Sequence, residues 1–434
     1  MSEILILILI SILFSLFILF PKNLLIFNNK KDQNNLDILL FENIVIFLSV
    51  IAFFSIIRLD LYISIPIIFF FLLCSVYKNL FNFFLCVKNN IKKIIFIFFL
   101  IIVFNFEIAN NLLLGFDGQA IWFKKAYFIK NNLDPLNTIF PNYPFLGSYL
   151  WSFFWQLSFL EYEYYGRFIY NTIFIFIFIC FFSYHCKNKS NLIYLLSTLI
   201  ILYIFNKKFL FNGYQDVLVF SLLLVLIHYL VCFLKDGLTR DLIYFFATIF
   251  ILTWIKNEAQ IYCLIILSVL LIYKIKDKNL NIILLMIIFT FFHKFLIYEF
   301  YYNIPMSFQA GNYNLNDFLN LKFNLKDIIY IFISFLKVFM KNIIILITIP
   351  SILYYFSNKN KFSYKEKKII NFIFLNFILF SFAIFAFYLF TTLPLIWHIS
   401  TSLERLIFQI SAVLIYPIFV IFGKVDDLKK IVKS

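Results

Sequence analysis

The sequence predicts an all-α, polytopic membrane protein with about 13 transmembrane helices. Of its 434 residues, 63% are hydrophobic and 14% are charged, and 65 are phenylalanine. An average soluble domain is about 45–50% apolar and about 25% charged. A span needs about 20 residues, so 13 spans would occupy roughly 260 residues. This composition excludes a soluble enzyme, a disordered chain and a nucleic-acid-binding domain.

Apolar runs that end at charged or asparagine-rich segments define the candidate spans. In chain order they are 4–20, 41–57, 61–77, 94–112, 168–184, 191–205, 216–234, 241–255, 259–273, 279–299, 327–350, 369–390 and 404–422. The stretch 145–160 is also apolar, but a span there would reverse the side of every later loop. We therefore expect it to lie at, or dip into, the membrane surface, among interfacial helices of the first long outer loop, 113–167.

The distribution of lysine and arginine predicts how the spans are oriented. One alternating set of loops carries 23 of these residues and the other set carries 11. By the positive-inside rule the richer set is cytoplasmic, so the N-terminus is outside and the C-terminus is cytoplasmic. This asymmetry accounts for the net charge of +15 without a nucleic-acid partner. We expect one integral membrane domain, 1–434, whose partner is the lipid bilayer.

Mixed polar clusters gather at the span ends that the charge rule places outside. Ionisable groups at membrane depth are costly and mark functional sites. The clusters carry Asp117, Asp216, Lys256 to Glu258, and His398 to Arg405. Simpler interpretations remain open: each aspartate caps a helix, Lys256 pairs with Glu258 in a tight hairpin, and Trp122 belongs to an aromatic belt.

Together these segments resemble multi-span glycosyltransferases of the C-type superfamily (GT-C), in particular the branch akin to dolichyl-phosphate-mannose–protein mannosyltransferases and bacterial aminoarabinose transferases. The matching stretches are 117–122 with Lys125 and Ala126, 142–146, 213–216, 256–258, and Trp397-His398 with Thr401, Ser402 and Arg405. The resemblance covers 94–434, and 1–93 contributes additional N-terminal spans.

The resemblance implies a sugar donor linked to polyprenyl phosphate and a glycan, lipid or protein acceptor, on the outer face of a bacterial inner membrane. It implies a catalytic role for Asp117, at the start of the first outer loop. Many members have two adjacent acids there, whereas Phe116 and Gly118 flank Asp117 here. One carboxylate is a poor divalent-cation site. No cofactor is firmly implied, and Mg²⁺ or Mn²⁺ is the alternative left open.

The chemistry of such a transfer assigns roles to residue types. A sugar on polyprenyl phosphate already carries its leaving group, so the reaction needs positive charge on the phosphate and a base for the attacking hydroxyl. A single displacement inverts the anomeric centre. We expect Asp117 to be the base and Lys256, Arg405 and Lys125 to bind the phosphate, with Lys124 and Arg167 as further candidates. The expected substrate-orienting residues are Asp216, Glu258, Asn257, Trp122, Tyr143 and His398.

Two other function classes fit the composition. A transporter or flippase for a lipid-linked saccharide would place ionisable or helix-breaking residues at the membrane midplane and would often show inverted repeats. The polar clusters here lie at outer span ends instead. An oligosaccharide polymerase or ligase usually has a large arginine-rich outer loop, and arginine is scarce in these loops.

Overall fold

The computed structural model describes residues 2–18, 36–185, 191–273, 280–304 and 324–422. In these ranges the protein is all-α. The helices, in chain order, are α1 Ser2–Ile18, α2 Leu36–Ile56, α3 Leu61–Asn110, α4 Lys124–Lys130, α5 Leu146–Leu157, α6 Tyr164–His185, α7 Asn191–Phe211, α8 Asp216–Asp236, α9 Thr239–Ile255, α10 Asn257–Tyr273, α11 Leu280–Leu296, α12 Leu325–Phe339, α13 Ile343–Ser357, α14 Tyr364–Leu389 and α15 Leu395–Ser411.

The apolar runs correctly mark helices, but the expected 13 membrane spans are not observed. Among the described residues, six helices are long and apolar enough to cross a membrane, and a bent helix pair would make seven. The six are Leu36–Ile56, Tyr164–His185, Asp216–Asp236, Leu280–Tyr301, Tyr364–Leu389 and Leu395–Phe422. These helices are those of a multi-pass membrane protein.

Two helix boundaries account for part of the difference. The expected spans 61–77 and 94–112 lie on the single 50-residue helix α3, which continues through the lysine- and asparagine-rich segment between them. The expected span 327–350 is instead two helices, α12 and α13, bent by 84°. A new helix begins after Asn342, because the Asn342 side chain accepts hydrogen bonds from backbone N–H groups in the first turn of α13.

The chain forms two compact units. The first unit comprises Met1–Lys187, Lys207–Leu230 and Leu238–Asn257, and the second comprises Asn188–Asn206, Val231–Gly237 and Glu258–Ser434.

In the first unit, α5 packs against α2, α4, α6 and α9. Eleven of its twelve residues are buried, all except Gln156. The apolar side chains of α5 are therefore covered by other helices, and its place at the membrane surface stays a prediction. Ion pairs join helices within the same unit: Glu42 of α2 with Arg240 of α9, and Asp37 of α2 with Lys93 of α3.

In the second unit, α12 packs against α14 and α15, and α14 packs against α15. A capping box starts α14: Glu366 N donates to Ser363 Oγ, and Ser363 N donates to the Glu366 carboxylate. A small core forms where Tyr355 and Phe362 meet Ile370 and Ile421.

Candidate functional site

The segment that carries Asp117 begins where α3 ends. A π-helical turn, Gly118–Phe123, follows Asp117 and continues directly into α4. The Asp117 backbone is already helical (φ −67°, ψ −31°), and its side chain makes no capping hydrogen bond. The capping interpretation of Asp117 is therefore wrong, and its half-buried carboxylate is not needed to start the helix.

This segment lies directly against the loop that precedes α8. Gly115 N donates to the Asn212 carbonyl oxygen at 2.9 Å. A Cβ at Gly118 would lie 2.6 Å from the same oxygen, so only glycine allows this approach. Gly213 has φ +74°, which also favours glycine. Two motifs separated by about a hundred residues in sequence are thus neighbours.

Arg167, a buried residue near the start of α6, joins the segment after α3 to the segment before α8. Its guanidinium donates to the carbonyl oxygens of Phe211 at 2.9 Å and Leu112 at 3.4 Å, and to the Glu163 carboxylate at 3.0 Å. Burial raises the pKa of the Glu163 carboxyl, and the nearby Arg167 charge opposes this rise. The three acceptors give Arg167 a structural role. Its buried Nε has no hydrogen-bond partner among the described residues, and phosphate binding by Arg167 stays a prediction.

Gln215, directly before Asp216, holds the loop from its other side. With the side-chain amide oriented to satisfy its neighbours, its nitrogen donates to the Ile255 carbonyl at 2.9 Å and its oxygen accepts from Ser148 N at 3.2 Å. Ser148 Oγ in turn donates to the Trp122 carbonyl at 2.9 Å. The sequence analysis missed Gln215 and Ser148. Gln215 lies within the matched stretch 213–216, and that position is the only available signal.

Lys256 and Asp216 form a buried ion pair. Lys256 Nζ donates to Asp216 Oδ1 at 2.9 Å, and their side chains are 5% and 0% exposed. The Lys256 Nζ atom also lies 5.9 Å from the centre of the Trp122 ring. Pairing of Lys256 with Glu258, the hairpin alternative, is therefore wrong. Lys256, Asp216, Trp122 and Tyr143, whose ring centre is 5.8 Å from that of Trp122, form the Lys256 cluster.

The Lys256 cluster offers its buried hydrogen-bond donors few protein acceptors. Lys256 has three N–H donors, and Asp216 is its one hydrogen-bond partner among the described residues. Trp122 Nε1 is buried and has no hydrogen-bond partner in the described part of the chain. Trp122 is 1% exposed, so a place in an aromatic belt does not explain it. Unsatisfied buried donors are rare and favour an acceptor from outside the protein.

Lys125 is equally buried but differently bound. Its Nζ donates to the carbonyl oxygens of Phe140 at 2.6 Å and Tyr143 at 2.7 Å. It lies 5.3 Å from the centre of the Phe145 ring. Lys125 therefore fixes the turn around Pro141 and holds Tyr143 in place beside Trp122.

The remaining predicted residues divide between the units. Asn257 belongs to the first unit as the first residue of α10, and Glu258, His398 and Arg405 belong to the second. Glu258 interacts electrostatically with the buried Lys294, which the sequence analysis left without a role.

In α15, His398 Nδ1 lies 2.9 Å from Thr391 Oγ1, and Arg405 is half-buried. The neighbouring Glu404 pairs with Lys341 at 3.6 Å.

No group of three or more metal-binding side chains occurs among the described residues. The first unit thus holds the half-buried Asp117 carboxylate, the buried Lys256–Asp216 ion pair and the buried Trp122 indole N–H in neighbouring segments. Comparison with family models, curated proteins and solved structures finds no match for this chain.

Proposed function

We propose that this protein is a membrane glycosyltransferase that moves a sugar from a polyprenyl-phosphate donor to an acceptor hydroxyl on the outer face of the membrane, with inversion. The observation that supports the proposal is the buried Trp122 Nε1, which has no hydrogen-bond partner among the described residues. It lies close to Lys256, whose ammonium is bound there by Asp216 alone. A phosphate oxygen is the acceptor that suits them best, because an ammonium adds charge to the hydrogen bond.

In the proposed reaction, Asp117 takes the proton of the acceptor hydroxyl as its oxygen bonds to the anomeric carbon. The bond from that carbon to the phosphate oxygen breaks at the same time, and polyprenyl phosphate leaves as an anion. Lys256 and Trp122 stabilise the charge that develops on the phosphate. Asp216 holds the Lys256 ammonium in place, and Arg167 holds the two loops in register. The roles expected for Arg405, Glu258, Asn257 and His398 stay predictions from the sequence.

The polyprenyl chain of the donor is apolar, and a multi-pass membrane protein can bind it. A polyprenyl chain needs only an apolar groove between helices, which aromatic and aliphatic side chains provide. We propose an inner-membrane location with an outward N-terminus and a cytoplasmic C-terminus. A metal ion has no role in this proposal.

The experiment is a transfer assay with the full-length protein in proteoliposomes. A panel of polyprenyl-phosphate sugars is supplied with acceptors identified from the envelope glycans that a deletion strain lacks. General-base catalysis typically contributes 10²–10⁴-fold, so Asp117→Asn should lower the turnover rate by about that factor. Asp236→Asn, an exposed aspartate at the end of α8, is the matched control. Wild-type turnover in Asp117→Asn would refute the proposed base.

A transporter is the second candidate, and one observation favours it. Asn43 and Asn171 lie inside helices that could span the membrane, and both side-chain amides are buried without hydrogen-bond partners among the described residues. Polar groups at this depth often mark a substrate pathway. Movement of a fluorescent lipid-linked saccharide across proteoliposomes, without any transfer product, would support this candidate over the enzyme.

A further inference from the structure

Three stripes run along the helix α12, and two of them face away from the protein core. The stripe that faces the core contains the buried Ile331 and Phe335. A second stripe is apolar but exposed, with exposed fractions between 44% and 69%: Leu325, Ile329, Phe332, Ile333, Leu336 and the C-terminal cap residue Met340. These positions recur every three or four residues and therefore share one face of the helix. An exposed apolar stripe of this length indicates a surface that contacts another molecule or a membrane.

The third stripe is polar and lies beside the exposed apolar stripe. It contains Lys326, Tyr330, Ser334 and Lys337, which are again three or four residues apart, and both lysines are exposed. With 3.6 residues per turn, the two lysines lie next to Ile333 on the helix surface. A helix with adjacent apolar and lysine-bearing faces matches the boundary between the acyl chains and the phosphates of a phospholipid bilayer.

The core-facing stripe attaches α12 to a helix that is long and apolar enough to cross a membrane. The ring centres of Phe335 and Phe339 lie 5.7 Å and 6.1 Å from those of Phe385 and Phe377 on α14. The helix α14 is one of the six candidate spans. Therefore α12 packs on the membrane-embedded part of the second unit, and its two other stripes face outward.

An orientation across the membrane does not fit α12. Because α12 and α13 are bent by 84°, the ~22 Å length of α12 adds only about 2 Å along the axis of α13. Along the membrane normal, Lys326 and Lys337 would lie at depths about 17 Å apart. At least one exposed lysine would then face hydrocarbon, which is costly. With α12 parallel to the membrane plane, both lysines lie at the same depth.

We propose that α12 lies in the headgroup region of the phospholipid bilayer, parallel to its plane. The exposed apolar stripe then lies among the acyl chains, and Lys326 and Lys337 bind lipid phosphates. Lysine suits this position because its apolar stem lies along acyl chains while its ammonium reaches the headgroups. This placement does not depend on the proposed sugar transfer.

The test is electron paramagnetic resonance on the full-length protein in liposomes of phosphatidylethanolamine and phosphatidylglycerol. p-Acetylphenylalanine is placed at one position at a time and carries a nitroxide label, so the native cysteines stay unchanged. Collision rates of the label with oxygen and with a water-soluble nickel chelate give its depth. We expect labels at Leu325, Leu336 and Met340 to share one depth, about 5–10 Å below the headgroup boundary. Labels at Lys326 and Lys337 should lie at the level of the phosphates.

Ile378, an exposed residue near the middle of α14, is the depth reference and should lie deeper than every label on α12. Three outcomes would overturn the proposal. A depth that increases steadily from Leu325 to Met340 would show that α12 enters the membrane. Free access of the nickel chelate to the apolar stripe would place that stripe in water. Protection from both reagents would show that protein covers it, either another segment of this chain or a second copy.

Discussion

Lys125 and Lys256 are two buried lysines of the same unit, and they differ in the acceptors that the protein supplies to them. Lys125 donates to two backbone carbonyl oxygens, whereas Lys256 has a single hydrogen-bond partner, Asp216, among the described residues. Both ammonium groups have three donors to satisfy. The difference teaches that burial alone does not distinguish two lysines, whereas the number and charge of their acceptors do.

The largest expected effect is on stability, at Lys125. Lys125→Met should remove the two hydrogen bonds that Lys125 donates to the Phe140 and Tyr143 carbonyl oxygens. A hydrogen bond to a charged group contributes about 1.5–3 kcal/mol, so we expect the free energy of unfolding to fall by about 3–6 kcal/mol. Thermal unfolding in detergent measures this loss. Lys124→Met, at the exposed neighbouring lysine, should change little, and an equal loss in both variants would contradict the structural role of Lys125.

The next effect is on lipid binding, at Lys256. The double variant Lys256→Gln with Asp216→Asn keeps a hydrogen-bonded pair but removes both charges. Hydrogen bonds to charged groups contribute about 1.5–3 kcal/mol, so polyprenyl phosphate should bind roughly 10–150-fold more weakly. Native mass spectrometry can measure this affinity. The control replaces both members of the Arg240–Glu42 pair by glutamine. An equal loss of affinity in this control would show that the effect is not specific to Lys256.

The smallest effect is expected for Trp122→Phe, which should change lipid affinity without lowering stability. Trp122→Phe keeps an aromatic ring and removes only an N–H that has no hydrogen-bond partner among the described residues. Stability should stay equal or rise, because an unsatisfied buried donor is costly. Affinity for polyprenyl phosphate should fall about tenfold, as expected for one hydrogen bond to a charged group.

Trp155→Phe provides the opposite pattern as a control. Trp155 Nε1 donates to the Glu161 carbonyl oxygen at 3.1 Å. Its loss should lower stability and leave lipid affinity unchanged. If Trp122→Phe instead behaves like Trp155→Phe, then the Trp122 N–H does not face a ligand.

The helices were largely predictable from the apolar runs, but their continuity was not. Charged and asparagine-rich segments predict loops, yet α3 passes through one of them without a break. Lysine and asparagine interrupt an apolar run more than they interrupt a helix, because neither residue prevents backbone hydrogen bonding. The break between α12 and α13 had a visible signal in Asn342, which is a good N-cap residue.

The candidate site was predictable in its residue types and not in its pairings. Asp216 and Lys256 were expected on the same side of the membrane. Their ion pair depends on the packing of α8 against the end of α9, which no local pattern encodes. The unsatisfied state of Trp122 Nε1 is likewise a property of packing, as are the three acceptors that fix Arg167. Sequence patterns show which groups are polar, and only the fold shows which of them are already satisfied.

The central claim is that the Lys256 cluster binds the phosphate of a lipid-linked donor. An electron cryo-microscopy structure of the full-length protein with polyprenyl phosphate tests it most directly. The account predicts a phosphate oxygen within hydrogen-bond distance, about 3 Å, of both Lys256 Nζ and Trp122 Nε1. A phosphate bound elsewhere, with both donors unchanged, would contradict it.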